Sequence, residues 1–241
     1  MPFTNSYDDA FRSRAYDTLE FPGTYYLAYR DLPAIFREYV RGTKAVDFGC
    51  GTGRSTRFLR GLGFAPIGLD ISAPMLAKAR ERDPDGDYHL VVDGETGDLP
   101  AGAFDLVFSG FTFDNVPTME RKVALFSALR RLLTPHGRIV MLGSTPEIYL
   151  HEWASFSTKD FPENRVARCG DVVRTIMLDV EDRRPVDDVL WPDEAYREVF
   201  ARAELSPLAV YHPLGSADEP YAWVTETTVP PWVIYVLAPN A

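Results

Sequence analysis

Lys44-Ala-Val-Asp-Phe-Gly-Cys-Gly-Thr-Gly-Arg54 decides how this chain of 241 residues is read. Lys44 to Phe48 is a short apolar run around one acid, Asp47, and reads as a buried strand. Gly49, Gly51 and Gly53 follow at alternate positions, and Ser55 to Leu62 then has its apolar residues at helical spacing. Strand, glycine turn and helix open a βαβ unit, with the loop at the carboxyl edge of a parallel sheet. Glycine lets the backbone turn sharply there and lets a ligand touch the main chain. The amides of the helix N-terminus suit an anionic group. The spacing also excludes two nucleotide motifs. A dinucleotide fingerprint needs its third glycine at position 54, which is Arg54, and the phosphate-cradling lysine loop has no matching frame.

Val46-Asp-Phe-Gly-Cys-Gly-Thr-Gly53 resembles the first motif of the class I S-adenosylmethionine-dependent methyltransferases. Leu69-Asp-Ile-Ser72, followed by Pro74-Met-Leu76, resembles the second. The resemblance implies S-adenosylmethionine as cofactor, lying across the crevice at residues 47–53, with Asp47, Gly49, Gly51, Gly53 and Ser109 among its contacts. Asp70 ends the strand Ala65–Leu69 and stands 19 residues after Gly51. That is near the ~20-residue offset at which an acid receives ribose hydroxyls, although it could also cap the helix Ser72–Arg82. Ile71 and Met75 would pack beside the adenine or ribose. Tyr88 to Val92 reads as the third strand. At its end the family places an acid on the adenine amino group, here Asp93 with the Gly94 amide, although Asp-Gly is also a common turn pair.

Phe104 to Ser109 is almost unbroken in its apolar character, as a fully buried central strand should be. In the family the acceptor lies across the loop that follows, here Gly110 to Pro117. No Asn/Asp-Pro-Pro-aromatic motif of the nucleobase enzymes occurs there. Asp114 and Asn115 are the polar pair facing the expected active site, or else a cap for the helix Thr118–Leu133; Phe111 is a candidate for the acceptor pocket. Leu132-Leu-Thr-Pro-His-Gly-Arg138 resembles the family's Leu-x-Pro-Gly-Gly connection, with His136 as a turn residue before the strand Arg138–Leu142. Tyrosines and an arginine of the N-terminal segment often hold the methionine carboxylate in this family. Tyr25, Tyr26 and Arg30 are the candidates, Tyr26 also for the acceptor side. Pro33 starts a new helix within Leu27–Tyr39.

From Thr145 to about Val189 the chain leaves the common pattern. Asp171–Val180 and Arg184–Trp191 have strand composition around the turn Glu181–Arg184, which predicts a hairpin. Tyr149 is a candidate for the acceptor pocket and His151 for proton transfer. Residues 171–198 hold nine acids against four basic residues, read as a solvated acidic face. Asp193–Ala203 reads as a helix, and Leu208–His212 and Trp232–Leu237 as the last strands. Tyr221 and Trp223, between them, could line the acceptor pocket or plug the sheet end.

These elements predict one α/β domain: a doubly wound, seven-stranded, mostly parallel sheet of Rossmann-like methyltransferase type with an antiparallel last strand. Residues 1–43 would form a helical cap, 44–145 the cofactor core, 146–190 an inserted lid over the acceptor, and 191–241 the closing helix and two strands. Net charge of −10 disfavours nucleic acid as a partner. No apolar run is long enough for a bilayer and the N-terminus lacks a secretory pattern. Cys50 and Cys169 make no disulfide framework or metal site. A cytoplasmic biosynthetic enzyme with a small-molecule acceptor is therefore expected, its oligomeric state open. The electrophilic methyl needs mainly an aligned nucleophile. No persuasive strong base is visible, which favours an amine or carboxylate oxygen over a hydroxyl. Two alternatives keep the cofactor: cyclisation of its methionine part to azetidine-2-carboxylate with release of methylthioadenosine, and binding without catalysis.

Overall fold

The computed structural model describes Leu19 and residues 22–92 and 95–240. Two short helices, α1 (Thr24–Arg30) and α2 (Leu32–Tyr39), precede the sheet, with Pro33 in the first turn of α2. The core then alternates: β1 (Lys44–Phe48), α3 (Arg54–Gly61), β2 (Ala65–Asp70), α4 (Ala73–Arg82), β3 (Asp87–Leu90), β4 (Phe104–Gly110), α5 (Met119–Leu132) and β5 (Leu133–Ser144). An insertion holds β6 (Phe156–Ser157), β7 (Val172–Met177) and β8 (Val186–Val189). Helix α6 (Asp193–Arg202), β9 (Leu205–Tyr211) and β10 (Trp232–Pro239) complete the described chain.

The seven main strands lie in the order β3-β2-β1-β4-β5-β10-β9. Strands β1 to β5 pair in parallel, and β10 is antiparallel to both β5 and β9. The seven-stranded doubly wound sheet expected from the sequence is thus observed. Its order reverses between β1 and β4, so the chain leaves their carboxyl ends in opposite directions and opens a crevice there.

Alternation along the central strands fills both faces. Leu106, Phe108, Val140, Leu142, Ile234 and Val236 join the cluster under α1, α2 and the insertion. Val107, Ile139, Met141, Val233, Tyr235 and Leu237 join the one under α5 and α6. A strand whose neighbours face two apolar layers can carry no polar face, hence its continuous hydrophobic reading.

Several boundaries differ from expectation: β9 runs Leu205–Tyr211 rather than Leu208–His212, and β7 and β8 are shorter than Asp171–Val180 and Arg184–Trp191. Strand β5 begins at Leu133 rather than Arg138, because Leu133 pairs Phe104 before the register shifts around Pro135-His136-Gly137. A Cβ at Gly137 would meet the Phe104 carbonyl oxygen at 2.7 Å, so the bulge needs glycine. Strand β3 ends at Leu90, and Val91 instead turns toward the crevice.

Strands β6, β7 and β8 form a separate antiparallel sheet, and β8 packs on the 3-10 turn Thr112–Asn115 that follows β4. A buried polar knot binds this insertion to both ends of the described fold. Thr24 N–H donates to Ser155 Oγ (2.9 Å) and Ser155 N–H to Thr24 Oγ1 (3.0 Å). Glu226 is fully buried; its Oε1 accepts from Thr24 Oγ1 and Ala154 N–H, and its Oε2 from Val224 and Thr225 N–H. Trp232 Nε1 donates to the Thr24 carbonyl at 2.7 Å. Among the described residues no helix is long and apolar enough to cross a membrane.

Candidate functional site

The crevice at the carboxyl ends of β1, β2 and β4 is a cleft of about 1130 Å³. Its floor is the glycine loop. Gly49, Gly51 and Gly53 all have positive φ (75°, 54° and 76°), a region in which side-chain-bearing residues are strained. Space is short as well: a Cβ at Gly49 would lie 2.0 Å from Thr112 Oγ1, and one at Gly53 2.5 Å from the Tyr88 hydroxyl. The loop packs between β3 and the turn after β4, which brings its backbone to the cleft.

Asp70 sits on the cleft wall with its carboxylate fixed by two amides, Gly51 N–H to Oδ2 (2.7 Å) and Ser72 N–H to Oδ1 (2.8 Å). A carboxylate offers about four acceptor positions, so one group can serve these amides and a pair of adjacent hydroxyls. Ile71, Met75, Val91, Val116, Pro117 and Leu125 give the cleft an apolar slot beside Asp70. Arg54, at the first position of α3, lies at the other side. It is buried, donates to the Leu19 carbonyl, and its guanidinium lies 5.2 Å from the centre of the Tyr25 ring and 5.8 Å from that of Tyr29. Loop amides, an acid beside an apolar slot, and a guanidinium on the same cleft lining together fit an adenosine joined to an amino-acid tail.

A second chamber, of about 460 Å³, adjoins the cleft, and Phe111 and Asn115 line both. Five aromatic side chains line it, Tyr149 and a packed group of four. Trp232 lies 4.8 Å from Phe111, 5.6 Å from Phe156 and 5.9 Å from Tyr25 (ring centroids), and Tyr25 lies 5.1 Å from Phe156. Asp114 and Asp188 also face it. Asp114 accepts from Ser144 N–H and Ser144 Oγ (2.8 Å), and Asp188 from the Tyr149 hydroxyl (3.2 Å). Burial pushes both carboxyls above the usual carboxylate range, and for Asp188 the neighbouring Asp114 charge adds to the rise. The Tyr149 hydroxyl is likewise pushed up by burial, and so is a proton donor. Behind Asp114, Lys122 donates to the Phe113 carbonyl and lies against Trp191 and Tyr196. Burial lowers its pKa and the Asp114 charge opposes that fall.

Several residues expected at the site lie in these cavities: Gly49, Gly51, Asp70, Ile71 and Met75 in the cleft, Tyr25, Asp114 and Tyr149 in the chamber, and Phe111 and Asn115 between them. Others do not. Asp47 is fully buried beneath the loop, where its Oδ2 accepts from Ser55 and Thr56 hydroxyls at 2.6 Å. Gly53 shapes the loop from outside the cleft lining. Ser109 is buried in β4, and its hydroxyl has no hydrogen-bond partner. Arg30 turns to Asp31 (2.9 Å) and Glu219 (2.7 Å), outside the cleft; the arginine that lines the cleft beside the glycine loop is Arg54. His151 pairs with Glu147 at the surface, its ring partly exposed. Tyr26, Tyr221 and Trp223 stack on one another near Arg30 and line neither cavity. Asp93 and Gly94 lie outside the described residues; Val91 and Glu95 on either side line the cleft.

Sequence reading missed Arg54 and Asp188. Arg54 served there only to reject a motif, although its place in the first turn of α3 aims it over the loop. Asp188 was absorbed into the acidic tract. Strand alternation separates it from Asp187, which pairs outward with Arg174 at 2.9 Å, and that inward phase was the available signal. No cluster of His, Cys, Asp and Glu suited to a metal occurs among the described residues.

Comparison with known proteins follows this geometry. A family model described as "Methyltransferase domain" matches residues 46–141. Nocamycin O-methyltransferase of Saccharothrix syringae is 33% identical over 120 residues, 47% of this chain and 42% of its own length. Trans-aconitate 2-methyltransferase of Variovorax paradoxus is 29% identical over 194 residues, 79% of this chain and 70% of its own. The first curated relatives are spanned over only 37–62% of their length. Among solved structures, the CcbJ methyltransferase of Streptomyces caelestis superposes with a TM-score of 0.66 at 19% identity, over 95% of this chain and 96% of that one. At that identity the likeness is one of fold.

Proposed function

From the methyltransferase-domain match over residues 46–141 and the methyltransferase-like fold, we propose that this chain is a class I S-adenosylmethionine-dependent methyltransferase that transfers a methyl group to a small-molecule acceptor seated in the chamber behind Phe111. The observation that carries this reading is the adjoining of two cavities of different chemistry. One has an amide-lined glycine loop and an acid beside an apolar slot; the other is walled by rings and carboxyls; Phe111 and Asn115 border both.

The cofactor, when bound, supplies an electrophilic methyl. The chain's own residues do the rest. Asp70 receives the ribose hydroxyls, the loop amides and Arg54 receive the tail, and Ile71, Met75, Val91 and Leu125 cover the adenine. Phe111 and Asn115 set the direction from which an acceptor meets the methyl, and the ring walls exclude water. Alignment of this kind supplies much of such a barrier without a covalent intermediate. The acceptor atom on this reading is an amine nitrogen or a carboxylate oxygen. A net charge of −10 favours such a small acceptor over a polyanion.

The test is incubation of the full chain with S-adenosylmethionine and panels of small amines and carboxylic acids, followed by mass spectrometry. Adenosylhomocysteine formed only with an acceptor is the expected result. Methylthioadenosine without an acceptor, or no turnover with either panel, would overturn it.

A further inference from the structure

We propose that the second chamber is a cage for an alkylammonium group, so that the acceptor class is aliphatic amines. This rests on the reading of the adjoining cleft as the cofactor site. Tyr25, Phe111, Phe156 and Trp232 pack on one another, with ring centroids 4.8–5.9 Å apart, into an aromatic wall of the chamber, and Asp114 and Asp188 face it. Ring faces and edges attract cations through their quadrupole, and the attraction grows when water is excluded. Carboxylates add a charge partner that a purely apolar pocket lacks.

The electrostatics select the sign of the guest. Asp188 faces Asp114 from the 3-10 turn and the Tyr149 hydroxyl, with Lys122 behind Asp114, while Asp187 on the outer side of the same strand acts on it only through its charge. Only Lys122 is basic among these; it is committed to the Phe113 carbonyl and does not line the chamber. An entering cation relieves the repulsion between two carboxyls already pushed toward protonation. A carboxylate guest would add a third negative charge to the same small space. The outcome therefore splits the two nucleophiles of the broader proposal in favour of nitrogen.

Asp188 then has a catalytic part. The ammonium must lose a proton before it can attack, and the Asp188 carboxylate is a base facing the chamber. The proton passes from nitrogen to the carboxylate oxygen, the nitrogen lone pair forms the new N–C bond, and the electron pair of the breaking methyl–sulfur bond remains on sulfur. Charge and atoms balance without any further reactant.

The test is calorimetric and needs no turnover. Choline, its uncharged isostere 3,3-dimethylbutan-1-ol and the anion 3,3-dimethylbutanoate are titrated into the full chain, with adenosylhomocysteine titrated separately. Choline is expected to bind at least tenfold more tightly than either analogue. D188N and F156L should each reduce that preference at least fivefold while adenosylhomocysteine affinity holds, which also shows that the variants fold. Equal binding of the three, preference for the anion, or no choline binding would overturn the cage while leaving the cofactor reading intact. Failure of adenosylhomocysteine to bind would instead sink the cofactor reading, and choline alone decides the cage.

Discussion

Asp47 illustrates how a motif residue can lie beneath a site without facing it. Its carboxyl is fully buried and its pKa is raised to about 6, chiefly by loss of water and against the pull of Ser55 and Thr56. Its Oδ1 has no hydrogen-bond partner. A carboxyl raised on folding gives its stability below the unfolded value near 3.8 and loses it as pH rises through about 6. D47N keeps one accepting oxygen and removes the buried charge. It should therefore stabilise the fold by about 1–3 kcal/mol at pH 8 and by almost nothing at pH 4. Urea unfolding at the two pH values measures the difference; a pH-independent effect would contradict it. Arg54 makes the complementary case. Lysine cannot stack its head flat on Tyr25 and Tyr29 or offer a planar fork, so R54K should weaken adenosylhomocysteine binding about tenfold in calorimetry while the melting temperature falls little. The place of Asp70 on the cleft wall was legible because it depends on a fixed distance from the glycine loop along one βαβ unit. Arg30 was misplaced because its partners, Asp31 and Glu219, include one 189 residues away, beyond any local pattern.

At the level of elements, the glycine loop is held as a wedge between β3 and the turn after β4. G49A would force a positive φ on alanine and press its methyl against Thr112, whose Oγ1 donates to the Phe48 carbonyl at 3.1 Å. We expect a loss of about 2–4 kcal/mol in unfolding free energy, together with loss of adenosylhomocysteine binding. Stability unchanged in denaturant titration would refute the wedge. Strands and helices of the core were readable because their periodicities are local. The hairpin β7–β8 was readable from its polar turn. What the hairpin packs against was not, since its contact with the 3-10 turn Thr112–Asn115 joins segments some 70 residues apart. For the same reason Tyr221 and Trp223, plausible pocket rings by composition, proved to stack with Tyr26 near Arg30 instead.

For the whole molecule, the knot of Thr24, Ser155, Glu226 and Trp232 matters most. It joins the first described helix, the insertion and the last strand, which also carry the chamber rings Tyr25, Phe156 and Trp232. E226Q places an amide group before main-chain or hydroxyl donors whichever way it turns, since both carboxylate oxygens accept two hydrogens. It should cost about 2–4 kcal/mol in chemical denaturation. Choline binding should weaken more than adenosylhomocysteine binding, because the chamber depends on this knot and the cleft does not. Equal weakening of both would show that the knot supports the domain without shaping the chamber.

Strand β8 reads Val186-Asp-Asp-Val189, the same forwards and backwards. Side chains alternate between the two sides of a strand, so a single-residue slip ordinarily swaps an interior face for an exterior one. Here a slip in one direction would present Asp187 in place of Asp188, with Pro185 in place of Val186. A one-residue change of that sense in the turn between β7 and β8 would thus leave an acid beneath the rings. The opposite slip would put Val189 there instead, so the doublet is a redundancy in one direction only: it tolerates one sense of length change in that turn without altering the polarity of the guest.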